Sequence, residues 1–578
     1  MEGVLGYVLS GATTRIATFQ LVEEAEKYLR EGMFVIIEDK ENRFIGYVVG
    51  IRKYHEFYEE GDIWSEAIRK RRKLPEGIAR EYAVADVEIL GILSERGLKS
   101  SDKPPSPGAP VLQLDLKSIK LLYGFDPNLS PPEMITIGHL YGYSENLPIF
   151  LNLKNITMHM AILGVTGSGK SNTVGVIIEE LGKKRMLSKN FTTIPIIVID
   201  ANGDYIDFYE DPSLVPAYDS VIRYIFHGSM IFNRFLEGQE YVTAKSELKP
   251  IYLDLNDLSP YELAYLIINF YHGGKIEGAE LQISYLSIIL SRLEAIANLI
   301  PQATTREGID FNKVFGNKDA YLALRNMLIT ATRVRGSREA VEIRRILGIH
   351  GIHTTTLQAI IRALDVFSEK IVETYRLIPP SRDQATISKK NLFGILNPLK
   401  PKLAILDFSA DGATGVSLDV KQIVIYYITK ILFEIFVEAK TKGRKMIGLL
   451  IVEEAQNYAP NLKFYPIRLH LARDVLATIA TQGRKFGLSL LLVTQRPSYV
   501  DPVIMSMVNT FIIHRVAPAD ISFLDKVTGG LQKHLRSRLV LMERGLAIVL
   551  GQMSLFSYPL LAQIRRRIRH ISGAVEFI

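Results

Sequence analysis

Two patterns of hydrophobic and polar positions divide this chain. From about residue 150 onward, short runs are almost continuously apolar: Met160–Leu163, 195–200, Leu403–Asp407, Gly448–Val452 and 488–493, the last with one small polar residue near its start. Such runs suit strands buried on both faces, and the helix-type spacing that follows them predicts a parallel sheet covered by helices on both sides. A further core strand is predicted at 511–516. Between about 256 and 398 the apolar spacing becomes three and four residues, at 261–271, 280–297 and 320–332, which predicts amphipathic helices inserted into that α/β unit. Before residue 150 the apolar runs are shorter and alternate with polar residues, at 34–37, 47–51 and 83–89, as in a small β-barrel. Helices are predicted at 21–30 and 58–72, an extended crossing at the proline-rich stretch 103–110, and resumed strands at Val111 and 135–137.

This pattern gives five segments: an N-terminal β-barrel at 1–145, an α/β core in two parts at 146–255 and 399–560, the helical insertion at 256–398 between them, and a basic tail at 561–578. Composition narrows the chemistry. The 578 residues are 47% hydrophobic and 23% charged, as in a globular protein, and include no cysteine. That excludes disulfides, thiolate metal sites and a cysteine nucleophile. No apolar run approaches the ~18 residues of a membrane span. The first residues show no basic-then-apolar leader, so a cytoplasmic protein without a membrane partner is expected. A formal charge of +7 permits a nucleic-acid partner without requiring one.

The strongest chemical signal is Gly164-Val165-Thr166-Gly167-Ser168-Gly169-Lys170-Ser171, followed by Asn172. An apolar run leads into it and helix-forming residues continue from it, which is the strand–loop–helix setting of a phosphate-binding loop. Gly164, Gly167 and Gly169 let backbone N–H groups close on phosphate oxygens without a Cβ in the way. The helix beginning near Lys170 turns its positive end toward an anion. Lys170 is expected to reach the β- and γ-phosphates of ATP, and Ser171 to offer a hydroxyl to Mg2+. Residues 164–172 therefore form the candidate cofactor-binding set.

Hydrolysis needs more than a phosphate cradle. The run Gly448–Val452 ends in Glu453 and Glu454, two carboxylates at the ligand-binding edge of a parallel sheet. Glu453 is the candidate for the Mg2+ shell and Glu454 for the general base. The bland alternative is a pair of acids favoured at a helix start. Run 488–493 ends in Thr494-Gln495-Arg496-Pro497, where Gln495 is a candidate γ-phosphate sensor. Arg484 and Arg515 are candidates for a transition-state cation, in their own site or a neighbour's, or for ordinary ion pairs. Asp200, at the end of a core strand, either orients water or couples the nucleotide to moving parts, or does no more than cap the following turn.

Taken together, Ile162 through Asn172, Ile199-Asp200-Ala201-Asn202-Gly203-Asp204-Tyr205, Glu453-Glu454-Ala455, Gly483-Arg484-Lys485-Phe486-Gly487 and Thr494-Gln495-Arg496-Pro497 resemble the HerA branch of the HerA/FtsK ATPases. The N-terminal region is similar to that family's HAS barrel. The resemblance implies a RecA-like motor assembling as a homo-hexamer, with ATP sites between subunits and double-stranded DNA driven through a central channel. In archaea such proteins usually partner a NurA-type nuclease in double-strand-break repair. Two positions depart from the pattern. Glu453 stands where related motors often have Asp, and Thr157-Met158-His159 holds no arginine where family members carry one that serves the neighbouring subunit.

Candidate pore contacts are Arg333, Arg335, Arg338, Arg344, Arg345, Lys400 and Lys402. The run Arg565-Arg566-Arg567-Ile568-Arg569 would brace a neighbouring subunit or touch DNA. No aromatic stacking platform is evident, which favours duplex over single-stranded DNA. Two other functions share this core: a conjugation- or packaging-type ATPase moving DNA or protein, and a nucleotide-gated clamp with little turnover.

Overall fold

The structure is a computed structural model that describes residues 3–40, 42–58, 69–70, 80–94, 97–129, 131–141, 147–183, 193–238, 243–306, 308–333, 337–556 and 558–569. Its first unit is a closed antiparallel barrel. Strands Ile16–Leu21, Val4–Val8, Pro110–Gln113, Phe34–Asp39, Asn42–His55 and Glu81–Ser94 pair in that order, and the last pairs back onto the first. Closure gives each of these six strands a partner on both sides, with the short strand Gly97–Lys99 added at the end of Glu81–Ser94, and the inward positions, among them Phe19, Val35, Ile37, Phe44 and Val87, fill the interior. The expected helix at 21–30 is not formed. Leu21 is already paired with Gly6, and Ala25 and Leu29 pack into the barrel core, leaving room for one 3-10 turn, Ala25–Lys27. Most of the expected helix at 58–72 lies outside the described residues.

The second unit is a sheet of twelve strands among the described residues. Its order is Ser246–Pro250, Val221–Ile225, Leu403–Asp407, Ile196–Asp200, Gly448–Val452, Leu488–Thr494, Met160–Leu163, Thr510–Ile513, Leu546–Gly551, Leu560–Ile564, Met134–Leu140 and Pro148–Asn152. The first eight are mutually parallel, so their carboxyl ends share one edge. The remaining four continue antiparallel. Met134–Leu140 and Pro148–Asn152 therefore belong to the large sheet, and the boundary expected at 145 cuts through their hairpin. Likewise 561–578 is not simply a tail: Leu560–Ile564 is a strand, and Arg565 and Arg567 after it bond to the body of the same chain.

Helices Lys170–Gly182, Leu418–Thr441 and Leu471–Phe486 cover the sheet, so the central strands are buried along their whole length. Each fully buried Leu or Ile contributes about 1.5–3 kcal/mol, which explains why these runs tolerate almost no polar residue. The segment 256–398 is largely helical, including Pro260–His272, Glu280–Ser291, Lys318–Thr332 and Thr354–Phe367. The helix expected over 280–297 turns at Arg292, where φ falls to −108°, and continues as a 3-10 stretch, Leu293–Leu299. Barrel and sheet meet at Glu88, whose carboxylate accepts from Gln532 Nε2 at 2.9 Å and from the Tyr558 hydroxyl at 3.0 Å.

Candidate nucleotide-binding and hydrolysis site

The P-loop strand Met160–Leu163 lies between Leu488–Thr494 and Thr510–Ile513, and the loop leaving it is tied to the ends of both. Gly164 N–H donates to the Thr494 carbonyl (3.2 Å), and Val165 N–H donates to that of Arg515 (2.8 Å). A Cβ at Gly164 would stand 2.6 Å from Ser168 Oγ and 2.8 Å from His514 Cβ, so only glycine fits there. Gly167 and Gly169 have φ of 73° and 115°, which L side chains rarely adopt. Buried Ser168 closes the turn by donating to the Val165 carbonyl at 2.7 Å. Ser171 sits half-buried in the first turn of the helix. The Lys170 ammonium donates to the Val165 carbonyl at 3.1 Å. Burial lowers its pKa, opposed by the charges of Glu454, Glu453 and Asp204.

Beneath the loop is a residue that no sequence signal indicated. His514 is fully buried; its Nδ1–H donates to the Leu546 carbonyl (2.9 Å), which leaves Nε2 to accept from the Thr173 hydroxyl (2.8 Å). Burial pushes its pKa down to about 4, so a neutral imidazole fastens the P-loop helix to the sheet.

The two glutamates point apart. Glu454 adopts φ 46° and ψ 47°, a left-handed backbone that a non-glycine residue takes only at a cost of about 1–3 kcal/mol. In that conformation Gln495 Nε2 donates to its Oε1 (2.5 Å) and Gln456 Nε2 donates to its Oε2. The Thr166 hydroxyl donates to Gln495 Oε1, and that of Thr494 to Gln456 Oε1 (2.6 Å). A continuous polar relay thus joins the P-loop crest to the acid strand through the sensor strand. Gln456 is a further addition of the tertiary structure.

Glu453 is buried and faces away from this relay, accepting from the Tyr205 hydroxyl at 2.5 Å and from Ala201 N–H at 3.3 Å. Burial, then the neighbouring charges of Asp200 and Asp204, raise its pKa well above the carboxylate range. Asp200 takes the capping option: its oxygens accept from the backbone N–H groups of Asn202, Gly203, Asp204 and Tyr205 at 2.7–3.3 Å. Burial and the facing Asp407 raise its pKa as well. Asp407 is held by Arg223 at 2.6 Å. The loop after Asp200 therefore brings Asp204 and the buried Glu453 close to Lys170. The Ser171 hydroxyl and the Glu453 carboxylate are oxygen donors of the kind a hard divalent cation takes, and among the described residues no cluster of three or more acidic or histidine side chains could hold a metal ion.

Other expected residues separate. Asn172 is engaged at both ends of its amide, donating to the Arg565 carbonyl (2.8 Å) and accepting from Arg567 N–H (3.1 Å), so it holds the C-terminal segment rather than facing the loop. Arg515 emerges exposed beside the P-loop. Arg484 is exposed on Leu471–Phe486, at the amino edge of the sheet. The seven-residue strand Leu488–Thr494 puts it about 20 Å from Gln495, beyond reach of its own site. His159, at the position lacking the arginine, is buried; it donates to the Ala480 carbonyl and accepts from Leu490 N–H, both at 3.0 Å, so it locks its own fold and cannot reach a neighbour.

Of the pore candidates, Arg333, Arg338 and Lys400 are exposed. Arg344 donates to the Ala331 carbonyl, Arg345 pairs with Glu342 and Lys402 pairs with Glu247; Arg335 lies outside the described residues. The basic run engages its own chain: Arg565 pairs with Glu179 and Glu180, and Arg567 with Asp207. An aromatic pair also forms where none was expected. Tyr465 and Tyr499 stack at 5.4 Å and 15°, with the Arg496 guanidinium 4.7 Å over Tyr499.

A parallel sheet with a P-loop on its carboxyl edge and a carboxylate joined to that loop defines a RecA-like P-loop ATPase. The description "Helicase HerA, central domain" matches residues 135–432, and the chain belongs to that family. It is 24% identical to the DNA double-strand break repair helicase HerA of Saccharolobus solfataricus over 95% of this chain and 90% of the relative. Identity to the HerA of Pyrococcus furiosus is 26%, covering 82% and 76%. Among solved structures it is similar to the plasmid coupling protein TrwB with ADP and Mg2+, at 13% identity and a TM-score of 0.45, over 77% of this chain and 91% of that one. No helix among the described residues is long and apolar enough to cross a membrane.

Proposed function

We propose that this ATPase is a ring-shaped motor that moves or unwinds double-stranded DNA in repair or end processing, working as a homo-hexamer with a NurA-type nuclease as partner. The observation that carries the reading is the relay Thr166–Gln495–Glu454. It joins the place where a γ-phosphate would sit to the carboxylate best placed to take a proton from the attacking water. Lys170 and the loop N–H groups hold the β- and γ-phosphates of ATP. Ser171 and Glu453 would hold Mg2+, which supplies charge neutralisation at the phosphates when bound. Gln495 and Gln456 keep Glu454 aimed, and loss of the γ-phosphate loosens the Thr166 end of the relay. Arg484, remote from its own site, serves a neighbour's, and Arg515 remains at its own loop. Family relatives named as double-strand-break repair helicases support DNA as the cargo. An exposed basic set including Arg333, Arg338 and Lys400 supplies sequence-independent phosphate contacts.

Two measurements test this reading. Phosphate release at low salt should rise several-fold with blunt duplex DNA, and light scattering should give a hexamer with ATP and DNA. A monomer under all conditions would sink the motor. A ring without DNA stimulation would move the reading to a protein-transporting ATPase or a slow clamp.

A further inference from the structure

In the C-terminal segment leaving strand Leu560–Ile564, Arg566 and Ile568 are exposed and Arg567 between them is buried at the junction of the two walls of the ATP site. One wall is the P-loop helix Lys170–Gly182: Asn172 bonds the segment's backbone on both sides of Arg566, and the Arg567 side chain lies against Gly175. The other wall is the loop from Asp200 to Asp207. There Arg567 Nη2 donates to both carboxylate oxygens of Asp207 at 2.5–2.6 Å, and its Nη1 donates to the Asp204 carbonyl at 2.7 Å. Its guanidinium lies 4.9 Å over the Phe208 ring and 5.7 Å over the Tyr205 ring. Tyr205 in turn donates to Glu453.

A planar guanidinium that pairs and stacks in one place fixes both partners' geometry, which a lysine could not do. Removing it leaves the Asp200 cap as the remaining hold on the loop that carries Tyr205, and Tyr205 is the side chain that donates to the Glu453 carboxylate. We propose that Arg567 is a positioning residue of the ATP site: it locks the Asp200–Asp207 loop to the P-loop helix so that Tyr205 holds Glu453 in place. This rests on the reading above that Glu453 serves the bound nucleotide.

The structure offers a test that leaves Arg567 itself in place. A Cβ at position 175 would come 2.2 Å from Arg567 Nε, the far end of a flexible side chain, so Gly175→Ala pushes the guanidinium aside while improving helix propensity. In the full chain, Gly175→Ala and Arg567→Gln should each lower kcat about tenfold and raise the Mg2+ concentration for half-maximal rate, with the affinity for a fluorescent ATP analogue within about twofold. In a Tyr205→Phe background neither change should lower kcat further. Hydrogen exchange supplies a readout independent of turnover: the N–H groups of residues 202–205 should exchange faster in Gly175→Ala, while those of Ile196–Asp200 stay protected.

Unchanged kcat and exchange in both variants would overturn the proposal, as would additive effects with Tyr205→Phe or an equal loss of ATP binding. Should the wild-type chain hydrolyse no ATP, the motor reading fails while the exchange experiment still decides the role of Arg567 in the loop.

Discussion

The N-terminal barrel and the strands around the ATP cleft both bury most of their side chains, yet they treat polar groups in opposite ways. Within the barrel strands, no charged or amide side chain is buried among the described residues, and the core is aliphatic and aromatic throughout. The cleft and its surroundings bury Glu453, Asp200, Asp207, Asp407, Arg223, Arg567 and His514 within a few strands of one another. Apolar packing is non-directional, so the barrel needs only volume and alternation. A buried charge is stable only while a particular partner stays in place, so the cleft responds to whatever moves those partners. The barrel is built to hold shape, and the cleft to change state.

The sharpest way to break this contrast is at the relay. Lys170→Ala and Glu454→Gln should each cut phosphate release at least about 100-fold, with Glu454→Gln still binding ATP by fluorescence titration. Near-normal hydrolysis in Glu454→Gln would move the base elsewhere. Next in size is the buried pair at the adjoining strands. Arg223→Met leaves Asp407 unpaired beside Asp200 and should destabilise the fold by about 3–5 kcal/mol in denaturant titrations.

His514 gives a smaller effect with a defined sign. Its pKa is about 4 when folded and 6.5 in the reference state, so the unfolded chain takes up this proton first as the pH falls. The stability it contributes is intact above about pH 6.5 and lost progressively down to about pH 4, with about 2 kcal/mol gone between pH 7 and 5. The raised pKa values of Glu453 and Asp200 act in the opposite sense, since there the folded state binds protons first. The comparison is therefore wild type against His514→Asn, which should show the shallower loss between pH 7 and 5. The smallest effect belongs to the barrel. Ile37→Val should cost about 0.5–1.5 kcal/mol and leave ATP turnover per folded molecule unchanged. A turnover defect from that methylene would show that the barrel core and the cleft are not independent.

How much of this could be read from the chain depended on range. Six of the eight parallel strands were visible as apolar runs, because a strand buried on both faces is apolar along most of its length; Val221–Ile225 and Ser246–Pro250 were not. The P-loop was visible because its glycines, lysine and serine are consecutive, and the acid pair because it directly follows such a run. The expected helix at 21–30 failed for a tertiary reason, since Leu21 was already claimed by the barrel. Strand Val221–Ile225 carries Arg223 in its middle, an interruption that local pattern cannot reconcile with a core position until Asp407 is seen beside it.

By itself, then, the sequence determined the sheet core, the phosphate cradle and the family, because each rests on neighbouring residues whose local conformation sets the chemistry. Only the tertiary structure decided what the polar residues do to one another. It turned Asp200 into a cap, separated Glu453 from Glu454, placed Arg484 at the far edge of the sheet and drew Arg567 out of an apparent basic tail into the wall of the site. Burial decides those outcomes: in a dry interior a charge goes where its partner is, and the partner of Arg567 lies 360 residues away in the chain.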